Sequence, residues 1–400
     1  AALSGSIVFA QGYQVTFKAP GYKSGIAFLT YYMGSNFNIA DSAAISNNGT
    51  AVFKGTEKLQ PGIYAIFFPG KQIRTEFLIG GEQNVSVSAD TSDLVNKTIV
   101  TGSKENILYD QYQKVAAAKG RLIQQEHQAF MVSATKADSA LHEKKYMALI
   151  NELNDYREGI IKNQSTSMMA ALLSAMKEPV APTKVPVTRQ DSIDNFNEYK
   201  KHYWDGISFM DDRIIRTPFF LKKVERYYRE VVSPEPDSII KDVDYKLLLA
   251  RSSPEMYKFL LNWLTDEFIN PKYMGQDAVF VHLFEKYHSK GASPWLNEKQ
   301  MESISRRAYM LMANLIGEKA ADLDMLNTED KPTSLYSVNA DYTIICFWDP
   351  NCGHCKEEVP RLDSIYRASW KKHNLKIFAV LTPDSKQSVK PEWLAFIKEH

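Results

Sequence analysis

The sequence has little cysteine: three residues in 400, at positions 346, 352 and 355, too few and too closely spaced for a disulfide framework. It also has no run of about twenty apolar residues, so no membrane-spanning helix is expected. Charge of one sign is missing as well. The 48 basic and 47 acidic side chains leave a net charge of +1, and no basic run stands out, which argues against nucleic acid or an anionic membrane as the main partner. The eight histidines are scattered. No second CxxC and no HxxxH pair supplies the two further ligands that tetrahedral zinc needs beside two thiols, so no stable metal is expected. His142-Glu143 opens like a metalloprotease helix, but Tyr146 stands where the second histidine belongs. Internal repeats and low-complexity segments are likewise missing.

A hydrophobic content of 44% with 24% charged residues suits two or three globular domains with real cores. Residues 1–10 are uncharged, and Val8-Phe9-Ala10 has the small-x-small pattern that precedes a signal-peptidase cut. They are read as a signal-peptide remnant, with maturation after Ala10. From residue 12 to 100 short β-rich runs alternate with turn signals such as Asn47-Asn48-Gly49 and Gln60-Pro61-Gly62. That pattern predicts an antiparallel β-sandwich or open barrel.

Between residues 103 and 321 the period becomes helical. Met256, Phe259, Leu260, Trp263, Leu264 and Phe268 mark one face of a helix that Ser253 can cap and Pro254 can begin. Ile304, Ala308, Leu311, Met312, Leu315 and Ile316 mark another that ends at Gly317. Residues 178–186, with three prolines, read as an exposed linker. The aromatic pairs Tyr203-Trp204, Phe219-Phe220 and Tyr227-Tyr228 are read as core. Five Asp-Ser-apolar tripeptides, beginning at Asp41, Asp138, Asp191, Asp237 and Asp363, fit helix capping and resemble a bacterial O-glycosylation signal.

The chemistry concentrates near the end. Tyr342-Thr343-Ile344-Ile345-Cys346-Phe347 is uncharged, β-branched and aromatic, and predicts a strand buried on both faces of a mostly parallel sheet. Cys346 within it is read as a small core residue. Then come Trp348-Asp349-Pro350-Asn351-Cys352-Gly353-His354-Cys355, followed by Val359, Leu362, Ile365 and Tyr366 at helical spacing. Pro360 inside this helix should kink it. A second apolar run, residues 376–381, closes a β-α-β unit. Two thiols separated by two residues in a first helical turn lie on one side of the helix and can form a disulfide with little backbone movement. The helix N-terminus favours the thiolate at Cys352, which makes it the attacking sulfur. Cys355, one turn deeper and less exposed, resolves the mixed disulfide. His354, when protonated, adds a second cationic influence.

On these residues the segment from about Lys331 to the end resembles the thioredoxin superfamily, and most closely the envelope thiol-disulfide oxidoreductases of the TlpA and ResA type. Phe347-Trp348, Cys352, Cys355, Lys356 and Pro360 carry the likeness. It implies a redox-active Cys352–Cys355 pair, Trp348 shielding one side and Pro360 shaping the active-site helix. The blocks before it resemble two uncharacterised domains that precede thioredoxin modules in bacterial envelope proteins. A peroxidase of the peroxiredoxin kind needs a threonine ahead of its cysteine, and none stands there. The family also needs a cis-proline loop facing the dithiol. Pro360, Pro383 and Pro391 do not stand where it belongs, so the thioredoxin-like module, residues 331–400, is expected to be incomplete.

The fold class expected is multidomain α+β: an N-terminal β-sandwich, a central all-α domain and a thioredoxin-like α/β module. The function expected is exchange of electrons with protein thiols and disulfides, without metal or organic cofactor, in a periplasm or cell envelope. A membrane-bound dithiol relay is the expected electron partner. The contrasting reading is an envelope binding or scaffold protein whose dithiol only responds to redox state.

Overall fold

The computed structural model describes residues 12–71, 73–180, 182, 185–383 and 389–399. The signal-peptide remnant expected at residues 1–10 lies outside the described residues. The architecture is mixed: N-terminal β-sheets, central helices and a C-terminal α/β module. The chain divides after Ala308 into two compact units.

The first unit opens with eight strands: β1 (Tyr13–Lys18), β2 (Ile26–Met33), β3 (Asn36–Ala44), β4 (Thr50–Gly55), β5 (Gly62–Phe67), β6 (Arg74–Ile79), β7 (Asn84–Ser88) and β8 (Ile99–Thr101). They form two four-stranded sheets, ordered β4-β1-β7-β8 and β3-β2-β5-β6. Alternation does the sorting: Val15 and Phe17 on β1, Ala51 and Phe53 on β4, and Val85 and Val87 on β7 all turn inward. They join Leu29, Ile66, Phe77 and Ile79 of the other sheet in one hydrophobic core. Antiparallel pairing was expected throughout, but β1 and β7 run parallel, Val15 opposite Val85 and Phe17 opposite Val87. An alternating strand buries the same residues in either direction, so the pattern does not encode strand polarity.

A short helix α1 (Leu94–Lys97) precedes the helical block. There α2 (Lys104–Val132) and α3 (Lys136–Asn163) form a long hairpin, followed by α4 (Met168–Ala175), α5 (Arg189–Lys201), α6 (Phe220–Arg226), α7 (Pro236–Ala250), α8 (Pro254–Phe268), α9 (Asp277–Lys286) and α10 (Glu298–Met312). The described part of residues 178–187 has no regular structure. Asp138, Asp191 and Asp237 occupy the first turns of α3, α5 and α7, where a carboxylate meets the positive end of the helix dipole. Pro254 begins α8 as the sequence predicts, yet Ser253 makes no side-chain capping bond and its hydroxyl is buried without a hydrogen-bond partner among the described residues. Further on, α10 stops at Met312, short of Gly317, which adopts φ +87°. Tyr203, Phe220, Tyr227 and Tyr228 are buried. Asp242 accepts hydrogen bonds from the hydroxyls of Tyr227 (2.8 Å) and Tyr228 (2.9 Å) and pairs with the buried Lys246 at 3.3 Å.

His288 lies in the same core, 2% exposed. The Thr265 hydroxyl donates to the Leu261 carbonyl at 2.6 Å, so it accepts from His288 Nε2 at 2.9 Å, and Nδ1 is 2.8 Å from Ser293 Oγ, a hydroxyl that can donate to it. Every contact thus suits the neutral ring, and burial lowers its pKa to about 4. A folded-state pKa below the unfolded value means stability is full above about 6.5 and falls as pH drops toward 4. The expected loss is up to about 3 kcal/mol, as 1.36 kcal/mol per unit implies. Urea unfolding at pH 7 and pH 4.5 measures it, and His288→Asn should flatten this part of the dependence.

The second unit holds a small hairpin of β9 (Asp324–Leu326) and β10 (Pro332–Ser334), then β11 (Tyr342–Trp348), α11 (Gly353–Ala368), β12 (Leu375–Leu381) and α12 (Lys390–Glu399). β11 and β12 pair in parallel from Tyr342–Leu375 to Trp348–Leu381, with α11 as the crossover. This is the β-α-β unit that the sequence predicts. Burial of β11 on both faces is not found: Tyr342 is 68% and Phe347 59% exposed, because the described sheet has only these two strands.

Candidate functional site

The end of β11 delivers the dithiol to the first turn of α11. Thr382 N–H donates to the Trp348 carbonyl at 2.9 Å and ties the two strand ends together. The chain then turns through Asp349 and Pro350, both buried. Asn351 N–H donates to Asp349 Oδ1 at 2.8 Å, and Cys352 N–H donates to the Asp349 carbonyl at 3.1 Å. Cys352 is the N-cap residue of α11 with extended backbone. Its carbonyl accepts from Lys356 N–H at 3.1 Å, the first helical bond. Residues that follow a tight Asp-Pro turn and enter a helix put a side chain where the helix amides are unpaired.

Both cysteines are free and half-buried, so the greater exposure expected for Cys352 does not separate them. Electrostatics does. The Cys352 thiol is held below its ordinary pKa, first by the Cys355 backbone amide, then by the Cys355 thiol and the His354 amide, against slight desolvation and the charge of Asp349. The sulfur closes no full capping bond, so the amides act at longer range, as an N-terminal dipole does. Cys355 moves the other way. A hydrogen bond from the Asp349 backbone lowers it, but desolvation, the Cys352 sulfur and the charges of Cys352 and Asp349 together push it up. One sulfur of the pair therefore ionises first, and its ionisation holds the other protonated.

The other predicted residues fall around this pair in different ways. His354 is exposed, and what it contributes to Cys352 is its backbone amide. Gly353 opens the helix, and a Cβ built there meets nothing within 4 Å. Gly353→Ala should therefore keep the alkylation rate of Cys352 within about twofold, while alanine, the better helix former, adds up to about 1 kcal/mol of stability. Thermal unfolding with thiol titration checks both. Pro360 sits inside α11, which continues to Ala368; it supplies no N–H to the Lys356 carbonyl, and Ser364 Oγ donates to its own carbonyl at 2.9 Å.

Trp348, expected to shield one side of the dithiol, is 3% exposed. Its ring packs on Phe396 of α12 with centroids 4.8 Å apart and lines an apolar cavity of about 740 Å³ together with Cys346, Val359, Leu362 and Phe378. Neither Cys352 nor Cys355 lines that cavity. Cys346 is half-buried and its pKa is raised by burial and by the charge of Cys355, which makes it a poor nucleophile at neutral pH. Sequence reasoning passed over Asp349. Its signal was an acid placed between the strand end and the dithiol, in a stretch otherwise uncharged from Tyr342 to Gly353.

Among the described residues no group of three or more His, Cys, Asp or Glu is placed to hold a metal ion, and no helix is long and apolar enough to cross a membrane.

Comparison with known proteins adds to this geometry. Residues 316–399, the greater part of the C-terminal module, match the AhpC/TSA family. Residues 13–109 match a domain of unknown function, DUF4369. Among solved structures the chain is similar to a thioredoxin-like protein from Bacteroides caccae ATCC 43185, at 19% identity and a TM-score of 0.40, over 56% of this chain and 78% of that one. No curated protein matches.

Proposed function

We propose that this chain is a thiol-disulfide oxidoreductase of the TlpA and ResA type, in which Cys352 attacks a protein disulfide and Cys355 resolves the mixed disulfide. One observation carries the reading: Cys352 stands at the N-cap of α11, where the first-turn amides favour its thiolate, and Cys355 stands one helical turn further on. That asymmetry is what attack followed by resolution requires. The AhpC/TSA match over the same residues supports a redox role.

In this reading the redox step needs no metal or organic cofactor. Electrons come from a partner, a membrane-bound dithiol relay, and the protein works in the periplasm or cell envelope, where such exchange is used. The β and helical blocks, residues 12–100 and 103–321, then serve as accessory domains to the thioredoxin-like module, residues 331–400. Turnover separates this reading from a binding protein with a redox-responsive dithiol. The intact protein should reduce or form many equivalents of a model disulfide per mole when a small dithiol or disulfide regenerates it. A single stoichiometric exchange without turnover would contradict it.

A further inference from the structure

Six aromatic side chains of the helical block touch one another in an unbroken row. Tyr199 on α5 meets Tyr203 with ring centroids 5.8 Å apart, and Tyr203 meets both Trp204 at 5.0 Å and Tyr227 at 5.1 Å. Trp204 lies 4.8 Å from Tyr227, Tyr227 lies 5.3 Å from Tyr228, and Tyr228 lies 5.5 Å from Trp263 on α8. All are contacting pairs. Every ring in the row is tyrosine or tryptophan, the aromatic side chains that give up single electrons most readily. Tyr199 and Trp263 stand half-buried at the two ends, whereas Tyr203, Tyr227 and Tyr228 between them are buried.

An oxidised phenol is a strong acid, so tyrosine can hold an electron vacancy only where its proton has somewhere to go. The Tyr203 hydroxyl donates to the Lys223 carbonyl at 2.8 Å and accepts from Arg226 Nε at 3.0 Å; neither group is a base. Tyr227 and Tyr228 instead donate to the two oxygens of one carboxylate, Asp242, at 2.8 and 2.9 Å. Lys246 Nζ, 3.3 Å from Asp242, stands 5.5 Å from the centroid of Trp204 and 5.4 Å from that of Tyr227. A buried ammonium this close opposes positive charge on either ring, so Trp204 passes a vacancy on and Tyr227 holds one only after losing its proton.

We propose that this row relays single-electron vacancies from the surface into the helical block, and that Asp242 takes the phenol proton that lets Tyr227 or Tyr228 hold them as a neutral radical. The activity is separate from thiol exchange and does not rest on it. A one-electron oxidant of the oxygen- or nitrogen-centred radical class removes one electron from Trp263 or Tyr199 and is itself reduced. An electron from Tyr228 or Tyr227 refills that ring through the row, and the phenol proton moves to Asp242 as the electron leaves. What remains is a tyrosyl radical beside a neutral carboxylic acid. A reductant of the ascorbate class then returns one electron along the row, is oxidised by one electron itself, and the proton goes back from Asp242 to the phenol oxygen.

Pulse radiolysis with the azide radical tests the relay on the full chain with its three cysteines alkylated. This oxidant attacks tryptophan first, and the conversion of tryptophanyl to tyrosyl radical is then followed by absorbance, with electron paramagnetic resonance on freeze-quenched samples. The parent protein should show a first-order conversion that slows in heavy water. Asp242→Asn keeps a hydrogen-bond acceptor and removes the base, and should slow that phase by about a hundredfold, as loss of a positioned proton acceptor does. The double variant Tyr227→Phe with Tyr228→Phe keeps the rings and the Asp242–Lys246 pair, so it carries the test even if Asp242→Asn fails to fold; the phase should vanish. Trp263→Phe should reduce its amplitude. The same conversion in the parent and in the double variant, or a tyrosyl signal confined to exposed tyrosines, would overturn the proposal and leave the thiol-disulfide reading untouched.

Discussion

Cys355→Ser is expected to accumulate mixed disulfides through Cys352, whereas Cys352→Ser accumulates none. The two sulfurs are alike in burial class, so sterics alone would make both variants trap equally. The asymmetry comes from the first turn of α11, where the amides of Cys355 and His354 favour a thiolate at Cys352, while at Cys355 desolvation and the Cys352 sulfur outweigh the hydrogen bond from the Asp349 backbone. Exchange requires the thiolate, so Cys352→Ser should slow reaction with a disulfide by at least about a hundredfold. In Cys355→Ser the first step proceeds and the second cannot, which leaves the partner bound through its own sulfur. Mass spectrometry after incubation with an oxidised small thiol reads both results. Equal trapping by the two variants would contradict the assigned roles.

Arg216→Ala should destabilise the first unit by about 3 kcal/mol, the cost of breaking a largely buried ion pair from one side. Arg216 joins the β-sheet to the helices in three ways. Its carbonyl accepts the Ile63 N–H of β5 at 2.9 Å, its guanidinium reaches Glu255 on α8 at 2.7 Å, and the same group lies 5.8 Å from the ring centroid of Tyr31 on β2. The guanidinium side chain is 11% exposed, so truncation leaves Glu255 without this partner and a void beside Tyr31. Gly62 belongs to the same junction: a Cβ there would stand 2.4 Å from Arg216 Cβ. Gly62→Ala should therefore be costly too, although its backbone dihedrals do not demand glycine. Urea midpoints followed by far-UV circular dichroism measure both; a change below about 0.5 kcal/mol, typical of an ordinary surface substitution, would show that the junction is not a clamp.

How far the sequence carried this account depended on whether each feature is local. The dithiol, the strand before it and the helix after it are written in consecutive residues, and the β-α-β unit appears where they place it. Pro254 announces the start of α8 for the same reason, since its ring fixes φ and spends no needed donor. Non-local features were not legible. The parallel pairing of β1 with β7 joins residues seventy positions apart, Val15 with Val85, and alternation says nothing of direction. Gly317 suggested a helix end, but α10 had already stopped at Met312. The Gln60-Pro61-Gly62 turn was visible, but the reason for its glycine, the approach of Arg216, lies 154 residues away. Likewise the aromatic pairs gave no hint that Asp242 would bind two tyrosine hydroxyls at once.

At the site, spacing identified the two sulfurs but not the surroundings of Trp348. Its neighbour Phe396 comes from α12, beyond the β-α-β unit. The place of Asp349 in the loop before the dithiol was hidden for a different reason. A lone acid in a loop is ordinary, and its significance depends on burial and on which amides it and its carbonyl accept.

The most direct test of the central claim is the pH dependence of alkylation at each cysteine, read by mass spectrometry on the reduced protein. The account predicts that Cys352 reacts first, with a midpoint below that of an ordinary thiol, while Cys355 and Cys346 react only at higher pH. Faster alkylation of Cys355, or a Cys352 midpoint at or above the ordinary thiol value, would contradict it.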